Sequence, residues 1–566
     1  MSDDLKHECA VAMVVLRKPH PSGERSRPDD ASAASDIGGT KLSLLLEKQH
    51  NRGQDGAGAA ILAADPEPGE TPYWIGKSAS ATPLADVLGM IAKRGRNNAD
   101  ERIFLGHLRY ATFGRNDAAF CHPFVHEASE LSHTLVLAGN FNLTNAAELF
   151  EDYRRHGSFP TSKSDGYLIT ELVAHEIERG NTLAEALSKV LAGADGAWTL
   201  CGMTGDGWAF ATRDPHGIRP GYCYIDENVV VVASERPAIQ AAFDVPPEAV
   251  TELPPGEALV VSPIGEVQQT RLDSGIAPAP RPCSFERIYF SRANDADIHR
   301  ERRALGAALL PQILDAAAAP LENVFFSYIP NSARIAFHGL LEELFKRVSA
   351  SSNHAIPRFG EIAVKDAKFR TFIADAAARR EFYKHVYDVT YGLVRPDKDT
   401  LVVLDDSIVR GNTMKNAILP MLDRLGPKRI VIASSAPPIR YPDCYGIDMS
   451  TLGELVAFRA LVNLLGTSAE AELRQAASAP GNPLEALYAR FSDAEHTAEI
   501  AKLLTPPGMK AEVVVVYQTV ESLRKCLAPS TVGDWYFTGN YPTPGGYRVL
   551  HKALANYLEH RAERSY

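Results

Sequence analysis

Leu401-Val402-Val403-Leu404-Asp405-Asp406-Ser407-Ile408-Val409-Arg410-Gly411-Asn412-Thr413 is the stretch that decides the fold of the second half of the chain. The apolar run Leu401–Leu404 spells a strand buried on both faces. Two acids follow at its carboxyl end, and a small, hydroxylated, glycine-containing turn then opens a helix. Open α/β sheets bind ligands at the carboxyl ends of parallel strands. The N–H groups of such a turn suit a phosphate, and adjacent carboxylates suit ribose hydroxyls or a Mg²⁺ that carries pyrophosphate. A solvated acidic turn before a capped helix would explain two acids alone. Only the whole run is specific.

The neighbouring grammar agrees. Val324–Ile329, Thr400–Leu404 and Arg429–Ala433 are apolar runs separated by helical patterns at Arg334–Val348 and Thr413–Leu425, which predicts a parallel sheet with covered faces. A proline-rich stretch, Ala277–Pro282, marks a boundary before it. The first half reads as short strands (Ile103–Leu108, Thr134–Leu137, Trp198–Met203, Val229–Val232, Ala258–Val261) with helices at Lys41–Lys48 and Gly166–Leu187, an α+β pattern. Residues 460–510 are rich in Ala, Glu and Leu and read as appended helices, and a basic helix closes the chain near His551–Glu563.

Composition bounds the function. The 566 residues carry a net charge of −11 and 45% hydrophobic residues. That is an ordinary globular balance, without the basic excess of a nucleic-acid binder. Seven scattered cysteines without a C-x-x-C pair fit a reducing cytoplasm. No apolar run reaches the ~18–20 residues of a membrane span. The polar start, Met1–Glu8, is no secretory leader.

A second constellation lies in the first half. Cys9 precedes the apolar run Ala10–Val14. Gln49-His50-Asn51-Arg52-Gly53-Gln54-Asp55-Gly56 forms a polar, glycine-rich loop. Gly106-His107-Leu108-Arg109-Tyr110-Ala111-Thr112 ends a strand, Asn140–Asn145 reads as an asparagine-rich turn, and Ser164-Asp165 caps a helix. Each has a dull explanation: a buried core thiol, turn asparagines, an N-cap. In this order, with Arg213–Pro220 and Ala233-Ser234-Glu235, they resemble the class II glutamine amidotransferase domain, an N-terminal-nucleophile hydrolase. The 401–413 run resembles the phosphoribosyl pyrophosphate (PRPP) signature of type I phosphoribosyltransferases. The combination resembles the amidophosphoribosyltransferases.

The resemblance implies a four-layer α/β/β/α sandwich followed by an α/β domain with a parallel sheet. It divides the chain into a propeptide (1–8), a glutaminase domain (9–280), a phosphoribosyltransferase domain (281–460), the appended helices (461–510) and a closing strand, tail and helix (511–566). It implies Cys9 as nucleophile, with its own α-amino group as base, and Asn140 as oxyanion donor. Arg109, Thr112 and Asp165 would bind glutamine. Asp405, Asp406, Ser407, Ile408, Val409, Arg410, Gly411, Asn412 and Thr413 would bind PRPP, covered by Lys365 and Arg370. Ser332, Asp405 and Asp406 would hold Mg²⁺. The product would be 5-phosphoribosylamine, the first committed step of purine synthesis. Purine nucleotides as feedback inhibitors, a homo-oligomer and a cytoplasmic location belong to the same expectation.

The sequence departs from the family pattern at four places. Cys9 needs Met1–Glu8 removed to free its amine, Ala10 and Phe141 stand where glycine is usual, and Asn51 is inserted in the loop. A chain of this fold without glutaminase activity, using ammonia alone or binding nucleotide as a regulator, is the rival reading. Some family members hold an iron–sulfur cluster on four cysteines; here Cys283 is in place, Cys444 is displaced by one position, and Gly533 and Tyr536 fill the last two, so no cluster is expected.

Overall fold

The computed structural model describes residues 9–17, 37–63, 71–94, 101–110, 117–273, 275, 279–350, 356–365, 387–528, 531–561 and 563–565. Two antiparallel sheets and one parallel sheet organise it. The first, seven-stranded, runs Thr251–Glu252, Tyr222–Ile225, Val229–Ala233, Ala10–Leu16, Glu101–Arg109, Gly56–Ala63, Tyr73–Ser78. The second, six-stranded, runs Val267–Arg271, Glu257–Val261, Ala209–Arg213, Gly196–Thr204, Leu135–Leu143, Phe124–His126.

Side-chain alternation explains their stacking. Val11, Met13 and Val15 point inward against Val136, Ala138, Cys201 and Met203 of the second sheet. Ala10, Ala12 and Val14 point outward against Leu42, Leu45 and Ile239, on helices Ile37–Lys48 and Arg236–Phe243. On the far side, Leu135 and Leu137 pack on Ile169, Val173 and Leu187. The result is the α/β/β/α sandwich.

The third sheet is wholly parallel: Arg358–Phe359, Val324–Tyr328, Thr400–Asp405, Arg429–Ser434, Glu512–Tyr517. Its continuous apolar strands are covered on one face by the helix Ala296–Ala317 with Arg334–Ala350, and on the other by Val456–Leu465 with Asp493–Leu504. Among the described residues no helix is long and apolar enough to cross a membrane.

Four expectations need correction. Asn140 and Asn142 lie inside the strand Leu135–Leu143 rather than in a turn, because pairing with Gly196–Thr204 continues to Leu143. The span Gly166–Leu187 is two helices, Asp165–Glu178 and Leu183–Ala192, parted at Gly180 (φ +87°) and restarted by a Thr182/Glu185 capping box. The cap of the first is Ser164; Asp165 is its first helical residue. The closing helix is Pro544–Leu558, beginning earlier than its basic end suggests.

Candidate active site

Cys9 stands immediately before Ala10–Leu16. The register that sets Ala10 opposite Leu108 brings it level with Arg109. Its sulfur accepts from Tyr110 N–H at 3.3 Å. Val11 N–H donates to Ser234 Oγ at 3.0 Å, which pins the start of the strand. Gly53 lets the 49–53 loop press against this point: a Cβ there would meet the Leu108 carbonyl carbon at 2.4 Å. Arg109 is buried, with its guanidinium 5.9 Å from the Phe120 ring centroid.

Asn140 is 3% exposed, and its Nδ2 is buried without a hydrogen-bond partner among the described residues. A buried donor left unmatched costs free energy unless something accepts from it. Asp165 accepts from Gly166 N–H at 2.9 Å and from Leu143 N–H, at the end of the Asn140 strand. Burial lifts its carboxyl to about 6, against those hydrogen bonds, which lower it. One strand start, one strand end, one mid-strand amide and one helix N-terminus thus supply a thiol, a cation, a neutral donor and an anion. Thr112 lies outside the described residues.

The second group of residues lines a cavity of ≈ 700 Å³ at the carboxyl end of Thr400–Asp405. Asp405, Asp406, Ser407, Ile408, Val409, Gly411 and Thr413 all contribute to its wall, as does Ser332. Gly411 holds φ +75°, a turn that side chains avoid. The Ser332 hydroxyl donates to Asp406, and Ser407 Oγ donates to its other oxygen at 3.0 Å. Burial raises the Asp406 carboxyl despite those bonds and the nearby Arg302.

Arg410 does not face the cavity. It is buried, donating to Glu454 at 2.7 Å and to the Asp448 carbonyl at 2.9 Å, and so braces the turn from behind. Asn412 is not part of the lining. Lys365 ends the short strand Ala363–Lys365, paired with Tyr387–Val389; its side chain, and Arg370, lie outside the described residues. A larger cavity, ≈ 1280 Å³, runs along the edge strand Glu512–Tyr517 and touches none of these residues.

Sequence reasoning missed the wall between the two groups. Arg52, 1% exposed, donates to Glu235 at 2.8 Å and bidentately to Glu286 at 2.9 and 2.7 Å. Glu235 also accepts from Asn51 Nδ2 at 3.2 Å and from Arg292 N–H at 2.9 Å. His50, Asn51 and Arg292 line the ≈ 700 Å³ cavity. Arg302 lines it too, its guanidinium held by the carbonyls of Arg287 and Ser291 and brought down to about 10 by burial. The only available signal was a charged residue at a buried helical position beside Leu305.

The cysteines do not suit a cluster. Cys283 is buried against Tyr536 Oη at 3.1 Å, and a Cβ on Gly533 would meet the Trp535 ring at 1.9 Å. Cys444 is fully buried, and burial raises its thiol well above its usual range. Aromatic packing by Trp535, Tyr536 and Tyr445 occupies this region of the core.

A family model described as a glutamine amidotransferase domain matches residues 119–241. The amidophosphoribosyltransferase of Bacillus subtilis (strain 168) is 31% identical over 423 residues, covering 73% of this chain and 79% of the relative. That of Methanocaldococcus jannaschii is 28% identical over 434 residues, covering 73% and 83%. Two solved structures share the fold at 24% identity. One is the glutamine PRPP amidotransferase of B. subtilis complexed with ADP and GMP (TM-score 0.67, covering 94% of this chain and 97% of that one). The other is described as the allosteric regulatory enzyme of purine biosynthesis (TM-score 0.68, covering 96% and 99%). With a relative of this identity and coverage, the chain belongs to the amidophosphoribosyltransferase family.

Proposed function

We propose that Cys9 and the 401–413 loop carry the two halves of the family's reaction, glutamine-dependent transfer of ammonia to C1 of PRPP, in the first committed step of purine synthesis. The Asn140 side chain carries the reading, because its Nδ2 is a buried donor with no acceptor among the described residues. Glutamine lies with its α-carboxylate on Arg109 and its α-ammonium on Asp165; Thr112 supports the same site. Removal of Met1–Glu8 frees the α-amine of Cys9, which titrates near neutrality. That amine takes the thiol proton as sulfur attacks the carboxamide carbon. Asn140 Nδ2 and Phe141 N–H hold the oxyanion; one such donor is worth about 3 kcal/mol. The protonated amine passes its proton to the leaving nitrogen. Ammonia departs, and water cleaves the thioester to glutamate.

At the second site, Ser407–Thr413 enfold the 5′-phosphate, mainly through backbone N–H groups, since Arg410 is engaged elsewhere. Asp405 and Asp406 bind the ribose hydroxyls. Among the described residues no group of three or more His, Cys, Asp or Glu could hold a metal ion. Two carboxylates and Ser332 fit Mg²⁺, which keeps waters and takes substrate phosphate oxygens as ligands. Bound there, it would neutralise the departing pyrophosphate. Ammonia attacks C1, the C1–O bond to pyrophosphate breaks, and one proton is lost from nitrogen. Lys365 and Arg370 belong to the covering segment that excludes water.

The B. subtilis neighbour was solved with ADP and GMP; nucleotide feedback, a homo-oligomer, a cytoplasmic location and the domain limits 9–280, 281–460, 461–510 and 511–566 are part of the same proposal. The test is intact mass of the purified protein, followed by pyrophosphate release from PRPP with glutamine or with ammonia. A chain beginning at Cys9 with both activities supports the reading. An uncleaved chain active with ammonia alone overturns the glutaminase half, and activity with neither overturns both.

A further inference from the structure

The Asn140 strand outruns its neighbour. Phe124–His126 pairs with it only along Leu135–Leu137, whereas Gly196–Thr204 follows its other edge to Leu143. From Gly139 onward the first edge has no strand beside it among the described residues. Two imidazoles take that place. Gly139 N–H donates to His122 Nδ1 at 3.2 Å, and the Gly139 carbonyl accepts from His107 Nε2 at 3.1 Å. The rings stack, with centroids 4.0 Å apart and 12° from parallel. His107 comes from the strand that ends at Arg109 and is fully buried. The His122 ring centroid lies 5.6 Å from that of Phe141.

These partners fix the protons. A carbonyl requires a hydrogen on His107 Nε2, and an N–H donor requires His122 Nδ1 to be bare. Burial keeps both rings neutral: it lowers His107 to about 3 and His122 well below the usual histidine range, with Arg109 and Lys77 pushing the same way.

In an antiparallel strand the N–H and C=O of one residue share an edge, and those of the next residue take the other. Phe141 N–H therefore emerges from the same edge as Gly139 N–H. Under the reading above it is the backbone half of the oxyanion hole, and Asn140 between them is the side-chain half. We propose that His107 and His122 are positioning residues of the glutaminase site: standing in for the absent strand, they lock the Gly139 peptide and with it the aim of the Asn140 and Phe141 donors. This rests on Cys9 being the glutaminase nucleophile. Donors aimed at the oxyanion act in the transition state, so disturbing them lowers kcat and leaves glutamine binding at Arg109 and Asp165 intact.

The test uses the mature enzyme and two pairs of variants. His122→Phe keeps a ring and loses the acceptor; His122→Asn puts Oδ1 where Nδ1 was. His107→Phe loses the donor; His107→Gln can still reach the Gly139 carbonyl with Nε2–H. Glutamate release from glutamine is measured beside ammonia-supported pyrophosphate release. The expected result is a fall of about tenfold or more in glutamine kcat for both Phe variants. Their KM should stay within about twofold, with recovery to within about threefold in the Asn and Gln variants and an unchanged ammonia route throughout. Wild-type kcat in the Phe variants, equal losses in the polar variants, a KM rise at constant kcat, or loss of the ammonia route in both Phe variants would each overturn the inference. A wild-type enzyme that uses ammonia but releases no glutamate refutes the Cys9 reading, and the inference falls with it.

Discussion

Replacing Arg52 by Ala should strike stability and coupling together. Arg52 faces two carboxylates, and all three side chains are buried: Arg52 1%, Glu235 2% and Glu286 4% exposed. Three charge-assisted hydrogen bonds hold it, two of them forked onto Glu286. At about 1.5–3 kcal/mol each, the gross loss would be about 4.5–9 kcal/mol. Some bonds survive: Glu235 keeps Arg292 N–H and Asn51 Nδ2, and Glu286 keeps the Ser291 hydroxyl at 3.0 Å. The expected net cost is therefore the ordinary one for breaking a buried pair from one side, about 3–5 kcal/mol. For a unit this large that is a drop in melting temperature of about 6–20 °C. Arg52→Lys keeps the charge but not the fork and should fall between. Glutamate and pyrophosphate counted in one reaction give the second readout, since glutamine should be spent without matching pyrophosphate when the wall loosens. A melting point within about 2 °C of wild type, with the two products still matched, would refute the reasoning.

Cys9→Ala should abolish glutamine-supported pyrophosphate release and spare the ammonia-supported reaction. On that inactive background, glutamine binding measured by calorimetry should report Asp165. Its carboxyl titrates at about 6, so the charged partner of the ammonium is present above that pH and is lost below it. Kd should rise about tenfold per pH unit below 6, and Asp165→Asn should bind weakly at every pH. Asp406→Asn should cut both routes by about a hundredfold or more, since Asp406 is proposed to hold the ribose and the metal. Because burial already disfavours the charged carboxylate, its melting temperature at pH 8 should not fall. Arg410→Ala should do the reverse, lowering the melting temperature while KM for PRPP changes less than about threefold, since its partners are Glu454 and Asp448.

What was legible in the sequence follows from range. The 401–413 run could be read because its logic is local: an apolar strand, two acids, then a turn glycine whose φ of +75° the fold uses. The stacked sheets were legible only through the family resemblance, because Ala10–Val15 is apolar at every position and buried on both faces, so it carries no alternation to read. Asn140 and Asn142 were misread because asparagine favours turns and is depleted in strands. Pairing of Asn140 with Thr199 and of Asn142 with Ala197 overrides that preference. The break after Glu178 was legible in principle, since Gly180 and the Thr182–Glu185 box are written in the sequence. The Arg52 wall was not: its partners lie 183 and 234 positions away, and nothing near Arg52 announces them.

That wall also answers how a two-site chain could keep its halves in step. From Cys9 the path is short: Val11 N–H bonds Ser234, the next residue is Glu235, and Glu235 holds Arg52, Asn51 and the backbone of Arg292. Asn51 and Arg292 line the cavity where PRPP is proposed to bind. A ligand there can bias Cys9 only if it favours one arrangement of this path over another. Buried, forked ion pairs resist small graded distortion, because every partial displacement strands a charge away from its counterion. The Arg52 junction should therefore move as a block or not at all. Asn51, which touches both Glu235 and the cavity, sits where the two demands meet.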